Sequence, residues 1–175
     1  MVRPSVMFDA DAVIGLHAFG IWNETTACCN ITLTDLVAED ECQFYDSEAG
    51  RVYFDLKPDI DSGRVTVVAT SVASIQQFQA RFKPNYISAL HEGETTCISW
   101  LSSSSTEVKF CTGDNYAWRV FGALGMSERA LPLETLLDLI GLRRKKLSVQ
   151  FTQAYCQSNL SKGVQDRFQD RVFAV

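Results

Sequence analysis

The chain has 175 residues, 46% of them hydrophobic, and a formal net charge of −5 at pH 7. A chain of this size can bury a full core without disulfides, so we expect one globular domain. No apolar segment approaches the roughly 20 residues needed to cross a bilayer, and the first residues lack the pattern of a signal peptide. We therefore expect a cytoplasmic protein with no membrane partner.

The charge is distributed unevenly along the chain. Residues 1–80 hold twelve acids against four bases, whereas residues 81–175 hold nine acids against twelve bases. This distribution excludes a uniformly basic nucleic-acid binder but allows a local basic surface. The six cysteines lack the paired spacing of a zinc site, and most lie in apolar surroundings, which predicts reduced core residues.

The first informative stretch joins a short apolar run to two aspartates. Residues 5–8 predict a buried strand, and the apolar spacing from Ala12 onward predicts a helix. Asp11 is a suitable N-cap for that helix, which leaves Asp9 at the carboxyl end of the strand. Ligand clefts form at that end of α/β sheets, so Asp9 is a candidate for metal or phosphate chemistry. Both aspartates also suit a plain strand-to-helix turn.

Three consecutive acids follow in a second predicted helix. Residues 23–33 predict a loop with a short buried strand, and residues 36–45 predict the helix. Adjacent helical residues point about 100° apart, so Glu39, Asp40 and Glu41 cannot share one face. Glu41 lies nearest to the apolar stripe and Asp40 is its rival, although a solvated acidic surface also explains the run.

The middle of the chain is the least regular part. Residues 51–54 and 65–68 are candidate strands, separated by the turn-forming residues 57–63. Residues 71–82 predict a helix that ends before Pro84. We find no internal repeat and no linker between domains.

Glu94 is the second informative site. A helix is predicted to start near His91, and Glu94 precedes three apolar residues at helical spacing, namely Cys97, Ile98 and Leu101. A glutamate on this stripe faces the interior, where an unpaired charge is too costly to keep. We therefore expect Glu94 to meet a metal, a base or a structural arginine such as Arg119. The alternative is a first-turn acid stabilised by the helix dipole.

Asp114 repeats the local pattern of Asp9. Residues 107–111 predict a strand, and a tight turn then leads through Asp114 into a helix that closes at Gly125. Both aspartates thus lie at the carboxyl end of a predicted strand. Two acids placed in this way indicate a shared site rather than capping alone.

Four short motifs, taken in order, resemble the PIN-domain family of metal-dependent ribonucleases, in the subgroup with a Gly-Glu pair ahead of an apolar helix. They are residues 6–9, residues 37–41, Gly93-Glu94 and residues 110–114. The Leu124-Gly125 turn is also similar to that subgroup. The resemblance implies a three-layer α/β/α sandwich with a central parallel sheet. It assigns residues 1–142 to the PIN-like nuclease domain and residues 143–175 to a C-terminal helical extension packed on the same domain.

The resemblance implies an active site that hydrolyses RNA. Carried over position by position, its catalytic and metal-binding acids are Asp9, Glu41 (or Asp40), Glu94 and Asp114. Such oxygen clusters suit Mg²⁺ or Mn²⁺, which activate water and offset charge on the scissile phosphate. The supporting residues are Asp11, Thr112 and Asn115. Of these, Thr112 or Asn115 would hydrogen-bond to a metal-bound water or a phosphate oxygen.

His91 departs from the subgroup, which usually has an acid two positions before the glycine. This departure puts a second metal in question, unless Glu92 takes the place of the missing acid. A basic run follows the resembling region and suits either an RNA backbone or a solvated helix end; it consists of Arg143, Arg144, Lys145 and Lys146. The final segment predicts one or two amphipathic helices that pack on the core or meet a partner chain. An inhibitory protein partner and a homodimer stay open.

Two other functions are alternatives. Residues 9–13 also resemble the first motif of haloacid-dehalogenase-type phosphatases, with Asp9 as nucleophile and Asp11 as general acid. Thr70 or Ser71 would then supply the second motif, and Gly113-Asp114 part of the fourth. The further acid that the fourth motif normally has is missing, and Glu94 is left without a role. The other alternative is a PIN-like binding module with weak or no catalysis.

Overall fold

A computed structural model describes residues 3–142 and 146–174 of the chain. The protein is mixed α/β, with a central parallel sheet of four strands and an antiparallel hairpin. The sheet has the order β5-β2-β1-β6, with strands β1 (Ser5–Phe8), β2 (Asn30–Thr34), β5 (Val65–Val68) and β6 (Lys109–Cys111). The hairpin pairs β3 (Phe44–Ser47) with β4 (Gly50–Tyr53).

The helices of the described residues follow in chain order. They are α1 (Ala10–Ala18), α2 (Trp22–Cys28), α3 (Lys57–Asp61), α4 (Val72–Gln79), α5 (Pro84–Ile87), α6 (Glu92–Ser103), α7 (Asn115–Ala123), α8 (Leu133–Leu139) and α9 (Gln153–Phe168). A π-helical turn covers Val37–Glu41, and 3-10 turns cover Ser127–Arg129 and Val149–Phe151. None of these described helices has the length and apolar character needed to cross a membrane.

Strand β1 is one of the two inner strands of the sheet, and this position explains why its apolar run is continuous. It pairs in parallel with β2 on one side and β6 on the other, and Val6, Met7 and Phe8 are fully buried. Parallel strands bury both faces, so alternation of polar and apolar residues is not expected. Phe8 lies opposite Cys111, so the chain leaves β1 and β6 at the same edge of the sheet.

The C-terminal helix α9 packs closely along α7. A Cβ on Gly163 would overlap the backbone of Arg119, and one on Gly122 would overlap the backbone of Leu160. Glycine is needed at both positions because the two backbones approach so closely. After α9, Phe173 forms an antiparallel bridge with Phe82, which ties the end of the described chain to the segment after α4.

The structure differs from the sequence-based predictions in three elements. Residues 23–28 were predicted as a loop but belong to α2, and residues 57–61 of the predicted turn form the short α3. The helix predicted over residues 36–45 is limited to the π-helical turn, which the bond from the Cys42 amide to the Val37 carbonyl (3.2 Å) closes. The following aromatic residues pair in the hairpin instead, as β-prone side chains do. The predicted strands at residues 5–8 and 65–68 are confirmed.

Candidate functional site

Four of the predicted acids lie near the carboxyl edge of the sheet. Asp9 follows β1 directly, and Asp114 follows β6 after two residues. Glu41 ends the π-helical turn that comes after β2, and Glu94 lies in the first turn of α6. The charges of these acids act on one another, and that of Asp11 joins them. We call these five side chains the carboxylate cluster.

Asp9 is the most buried acid of the cluster, with 1% of its surface exposed. It is the N-cap of α1, where its Oδ1 accepts a hydrogen bond from the Ala12 amide (3.0 Å), while Thr112 donates its hydroxyl hydrogen to Oδ2. The prediction that Asp11 caps this helix is wrong, because the helix begins at Ala10 and Asp11 lies inside its first turn. Burial raises the pKa of Asp9 well above its ordinary value, and the charge of Asp11 adds to this effect.

Thr112 links Asp9 to Asp114. Its buried hydroxyl donates to Asp9 and accepts a hydrogen bond from the Asp114 amide (2.9 Å). Asp114 is the N-cap of α7, and its Oδ1 accepts from the amides of Tyr116 (2.7 Å) and Ala117 (2.6 Å). Thr112 therefore positions the two aspartates, and its hydroxyl hydrogen is already committed within the protein. Asn115, the first residue of α7, is exposed.

Glu41 is brought to the cluster by a close approach to α6. Its carboxylate lies against Gly93, where an added Cβ would overlap it, and the Gly93 backbone hydrogen-bonds to it. Burial raises the pKa of Glu41, and this hydrogen bond opposes the shift. The role of Gly93 could be suspected from the sequence, because glycine early in a helix often marks a close contact.

Glu94 carries a carboxylate oxygen without a partner. Its Oε2 is buried and accepts no hydrogen bond from the described residues. Among the described residues, the basic group within ion-pair distance of it is the imidazole of His91, whose Nδ1 lies 3.6 Å from Oε2 on a side chain that is 81% exposed. Burial, followed by the charge of Asp114, raises the pKa of Glu94 to about 7. Arg119, considered from the sequence as a partner for Glu94, pairs with Asp166 instead.

Asp40, the rival of Glu41, lines a separate cavity. This cavity of about 530 Å³ lies between the π-helical turn, α4 and the start of α6, and both Glu39 and Asp40 are exposed at its edge. Glu92 and Thr70 also line it. Within the π-helical turn, Glu41 is thus the acid that joins the carboxylate cluster.

The chemistry of the cluster fits a hard divalent cation. Its donors are carboxylate oxygens, and the unpartnered Oε2 of Glu94 is a buried atom that a cation would satisfy. Within residues 3–142 and 146–174, no three His, Cys, Asp or Glu side chains are placed so that they could hold a metal ion together. The acids are therefore neighbours that influence one another, and they are not arranged as a finished coordination sphere.

The phosphatase alternative needs Asp9, Asp11 and Asp114 together near a lysine. The charge of Asp11 raises the pKa of Asp9, and the charge of Asp114 raises that of Asp11. Glu94 interacts electrostatically with both Asp9 and Asp114, so it belongs to the same group. Among the described residues, no lysine or arginine forms an ion pair with any of the three aspartates. The arrangement does not favour a phosphatase.

The predicted basic run falls largely outside the described part of the chain. Arg143, Arg144 and Lys145 are not among the described residues, and Lys146 is exposed. Its role in binding RNA stays a prediction.

Comparisons of the chain with protein-family models, with curated proteins and with solved structures gave no match.

Proposed function

We propose that this protein is a metal-dependent endoribonuclease with a PIN-like, three-layer α/β/α fold. Asp9, Glu41, Glu94 and Asp114 would hold Mg²⁺ or Mn²⁺, with Asp11 beside them. The observation that carries the proposal is the buried Oε2 of Glu94, which has no hydrogen-bond partner and lies among other acids. Buried charges are normally paired, so such a group indicates that a positive ligand completes the site.

The fixed part of the site is the pair of strand-end aspartates. Asp9 and Asp114 are held by backbone amides at the starts of α1 and α7 and are joined through Thr112. Their orientation therefore does not depend on the ligand, which is the preorganisation that catalysis requires. A divalent ion bound here activates water and offsets charge on a phosphodiester.

The adjustable part of the site is the pair of glutamates. Glu41 rests on Gly93, and Glu94 has a pKa of about 7. A bound cation would favour the ionised form of Glu94 and so offset this raised pKa. The two glutamates would also complete the negative charge that attracts the cation.

The decisive experiment is RNA cleavage by the purified full chain with Mn²⁺ or Mg²⁺. We expect cleavage of single-stranded RNA that is lost with a chelator and in Asp114→Asn. Asparagine also caps helices well, so this variant should keep its fold. The matched control is Asp61→Asn, which changes an exposed acid in the i,i+4 pair with Lys57 and should leave cleavage unchanged.

Two results would contradict the proposal in different ways. Hydrolysis of small phosphate monoesters without RNA cleavage would indicate the phosphatase. Failure of the folded protein to cleave RNA, with Mn²⁺ bound or not, would indicate a binding module, and replacing His91 by aspartate would then test whether the departure from the subgroup is the cause.

A further inference from the structure

Two basic segments that are distant in the sequence are joined in the structure. The Lys83 amide donates to the Val172 carbonyl (2.8 Å), and the Ala174 amide donates to the Arg81 carbonyl (3.0 Å). The antiparallel bridge between Phe82 and Phe173 lies between these bonds. Residues 81–83 and 166–174 therefore form one continuous surface.

This joined surface is positively charged in an otherwise acidic protein. Its cations are Arg81, Lys83, Arg167 and Arg171, against two acids, Asp166 and Asp170. Asp166 is buried, and Arg119 neutralises it through two hydrogen bonds. Arg171 forms a long ion pair with Asp166 at 4.0 Å, and 64% of its side chain is exposed to solvent. Lys83 also contacts Asp170.

The basic surface is connected to the carboxylate cluster by a short chain of hydrogen bonds. Asp114 accepts from the Tyr116 amide, and the Tyr116 hydroxyl donates to the Tyr86 carbonyl (2.5 Å). The Tyr86 hydroxyl in turn donates to Asp166 (3.2 Å). Tyr116 and Tyr86 thus link Asp114 of the carboxylate cluster to Asp166, the buried acid beneath the basic surface.

We infer that the surface formed by Arg81, Lys83, Arg167 and Arg171 binds the phosphate backbone of the single-stranded RNA on which the carboxylate cluster acts. The inference rests on the proposed function, which makes RNA the substrate. An acidic site repels a polyanion, so a nearby cationic surface is needed to hold the strand. This surface is independent of the basic run at residues 143–146 and was not visible in the sequence, because its two halves are about eighty residues apart.

The test measures binding separately from cleavage. A fluorescently labelled short single-stranded RNA is titrated with the full chain in the presence of a chelator, at several salt concentrations. We use the double variant Arg81→Gln/Arg167→Gln, because neither arginine forms an ion pair among the described residues. Two lost phosphate contacts should weaken binding about tenfold and lower the slope of log Kd against log salt by about 1.4.

The control is Arg51→Gln/Lys57→Gln, which removes the same charge from exposed residues of another region. Equal weakening in both double variants would show a general charge effect and overturn the inference, as would unchanged binding in Arg81→Gln/Arg167→Gln. Binding to phosphatidylserine vesicles that is lost in this variant, with RNA binding intact, would assign the surface to a membrane instead. Weakened RNA binding by a protein that never cleaves RNA would uphold the surface and reject the nuclease.

Discussion

Two groups of charged side chains in this protein, each built around a buried aspartate, are held in opposite ways. Around Asp166, Arg119 donates two hydrogen bonds and Tyr86 donates a third, and these contacts lower the pKa of Asp166, with the Arg119 hydrogen bond as the largest cause. In the carboxylate cluster the pKa values of Asp9, Asp11, Glu41 and Glu94 are all raised, with burial as the largest cause. One group is compensated by donors inside the chain, whereas the other is the group that we propose to be compensated by a bound cation.

Under the proposed function, this difference corresponds to a structural role for Asp166 and a metal-binding role for the carboxylate cluster. A buried carboxylate with a full set of donors stabilises the packing of the elements that supply them, here α7, α5 and α9. The acids of the carboxylate cluster accept hydrogen bonds from amides and from Thr112, but no lysine or arginine among the described residues forms an ion pair with them. Acids that raise one another's pKa in this way are concentrated at functional sites. The same chemical group should therefore respond differently to the same substitution in the two places.

The largest expected effect is on cleavage. Asp9→Asn should lower metal-dependent RNA cleavage about a thousandfold, because the charge stabilisation supplied by a bound ion is worth several kcal/mol. It should also abolish most of the rise in melting temperature that Mn²⁺ gives the wild type by mass action. The measurement is a pair of thermal melts, with and without Mn²⁺, beside the cleavage assay. An unchanged melting response would remove Asp9 from the metal site.

The next effect is on stability and concerns the compensated group. Asp166→Asn should lower the free energy of unfolding by about 3 kcal/mol, because it leaves the Arg119 guanidinium without its buried partner. The loss should be the same with and without Mn²⁺ in urea denaturation. A loss of stability that depends on the metal would mean that Asp166 and the carboxylate cluster are coupled, and Asp166 would then not have a purely structural role.

Gly93→Ala tests the contact that brings Glu41 to the cluster. The new methyl group would overlap the Glu41 carboxylate, which is the end of a flexible side chain and can move away. We expect stability to change by less than about 1 kcal/mol, since alanine also favours helix over glycine. Cleavage and Mn²⁺ affinity should fall by about tenfold, as for a displaced ligand. Gly20→Ala is a control with a separate effect: its positive φ makes alanine costly by about 1 kcal/mol, but it has no neighbour within 4 Å, so cleavage and Mn²⁺ affinity should not change.

Glu94→Gln removes one of the repelling charges. In the absence of metal the variant should be as stable as the wild type or more stable by about 1 kcal/mol, because the crowded acids repel less. Its Mn²⁺ affinity and cleavage should fall. Melts of both proteins, with and without Mn²⁺, distinguish this from a structural role. If stability drops equally in both conditions, Glu94 is not a ligand.

The sequence was sufficient for the parts of the site that follow from local pattern. Asp9 and Asp114 each come after an apolar run and before a helix, so their placement at strand ends was predictable. Glu41 could only be ranked above Asp40, because its direction is set by a π-helical turn, whose i to i+5 hydrogen bonds, such as that from the Cys42 amide to the Val37 carbonyl, are not predicted by the apolar spacing of the sequence. The pairing of Arg119 with Asp166 was not predictable, since it joins residues 47 positions apart through the packing of α9 on α7.

A third buried group, the His17 ring, extends the comparison to a side chain that is neutral when folded. His17 is stacked between the rings of Phe54 (centroids 3.7 Å apart) and Trp22 (4.8 Å), and its buried Nε2 has no hydrogen-bond partner among the described residues. Burial lowers the pKa of His17 to about 4, and the nearby charge of Asp59 opposes this shift only in part. Here the neutral form suits the site, so no ligand is needed.

The sign of the pH effect follows from this lowered pKa. In the unfolded chain the histidine has a pKa of about 6.5, so the unfolded state binds more protons than the folded state between that value and the folded pKa of about 4. Stability is therefore lost as the pH falls from about 6.5 towards 4. The raised pKa values of the carboxylate cluster act in the opposite direction, because there the folded state binds more protons. The pH dependence of wild-type stability is the sum of the effects of His17 and of the carboxylate cluster. A variant that keeps the aromatic stack but lacks the ionisable ring is therefore required.

His17→Phe provides that variant. We expect the free energy of unfolding of the wild type, relative to His17→Phe, to fall by about 1 kcal/mol between pH 7 and pH 5, after allowance for the partial exposure of the ring. The measurement is urea denaturation of both proteins at the two pH values, without metal. Parallel pH profiles would show that His17 ionises as readily in the folded protein as in the unfolded chain, and the ring would then not be held neutral by burial.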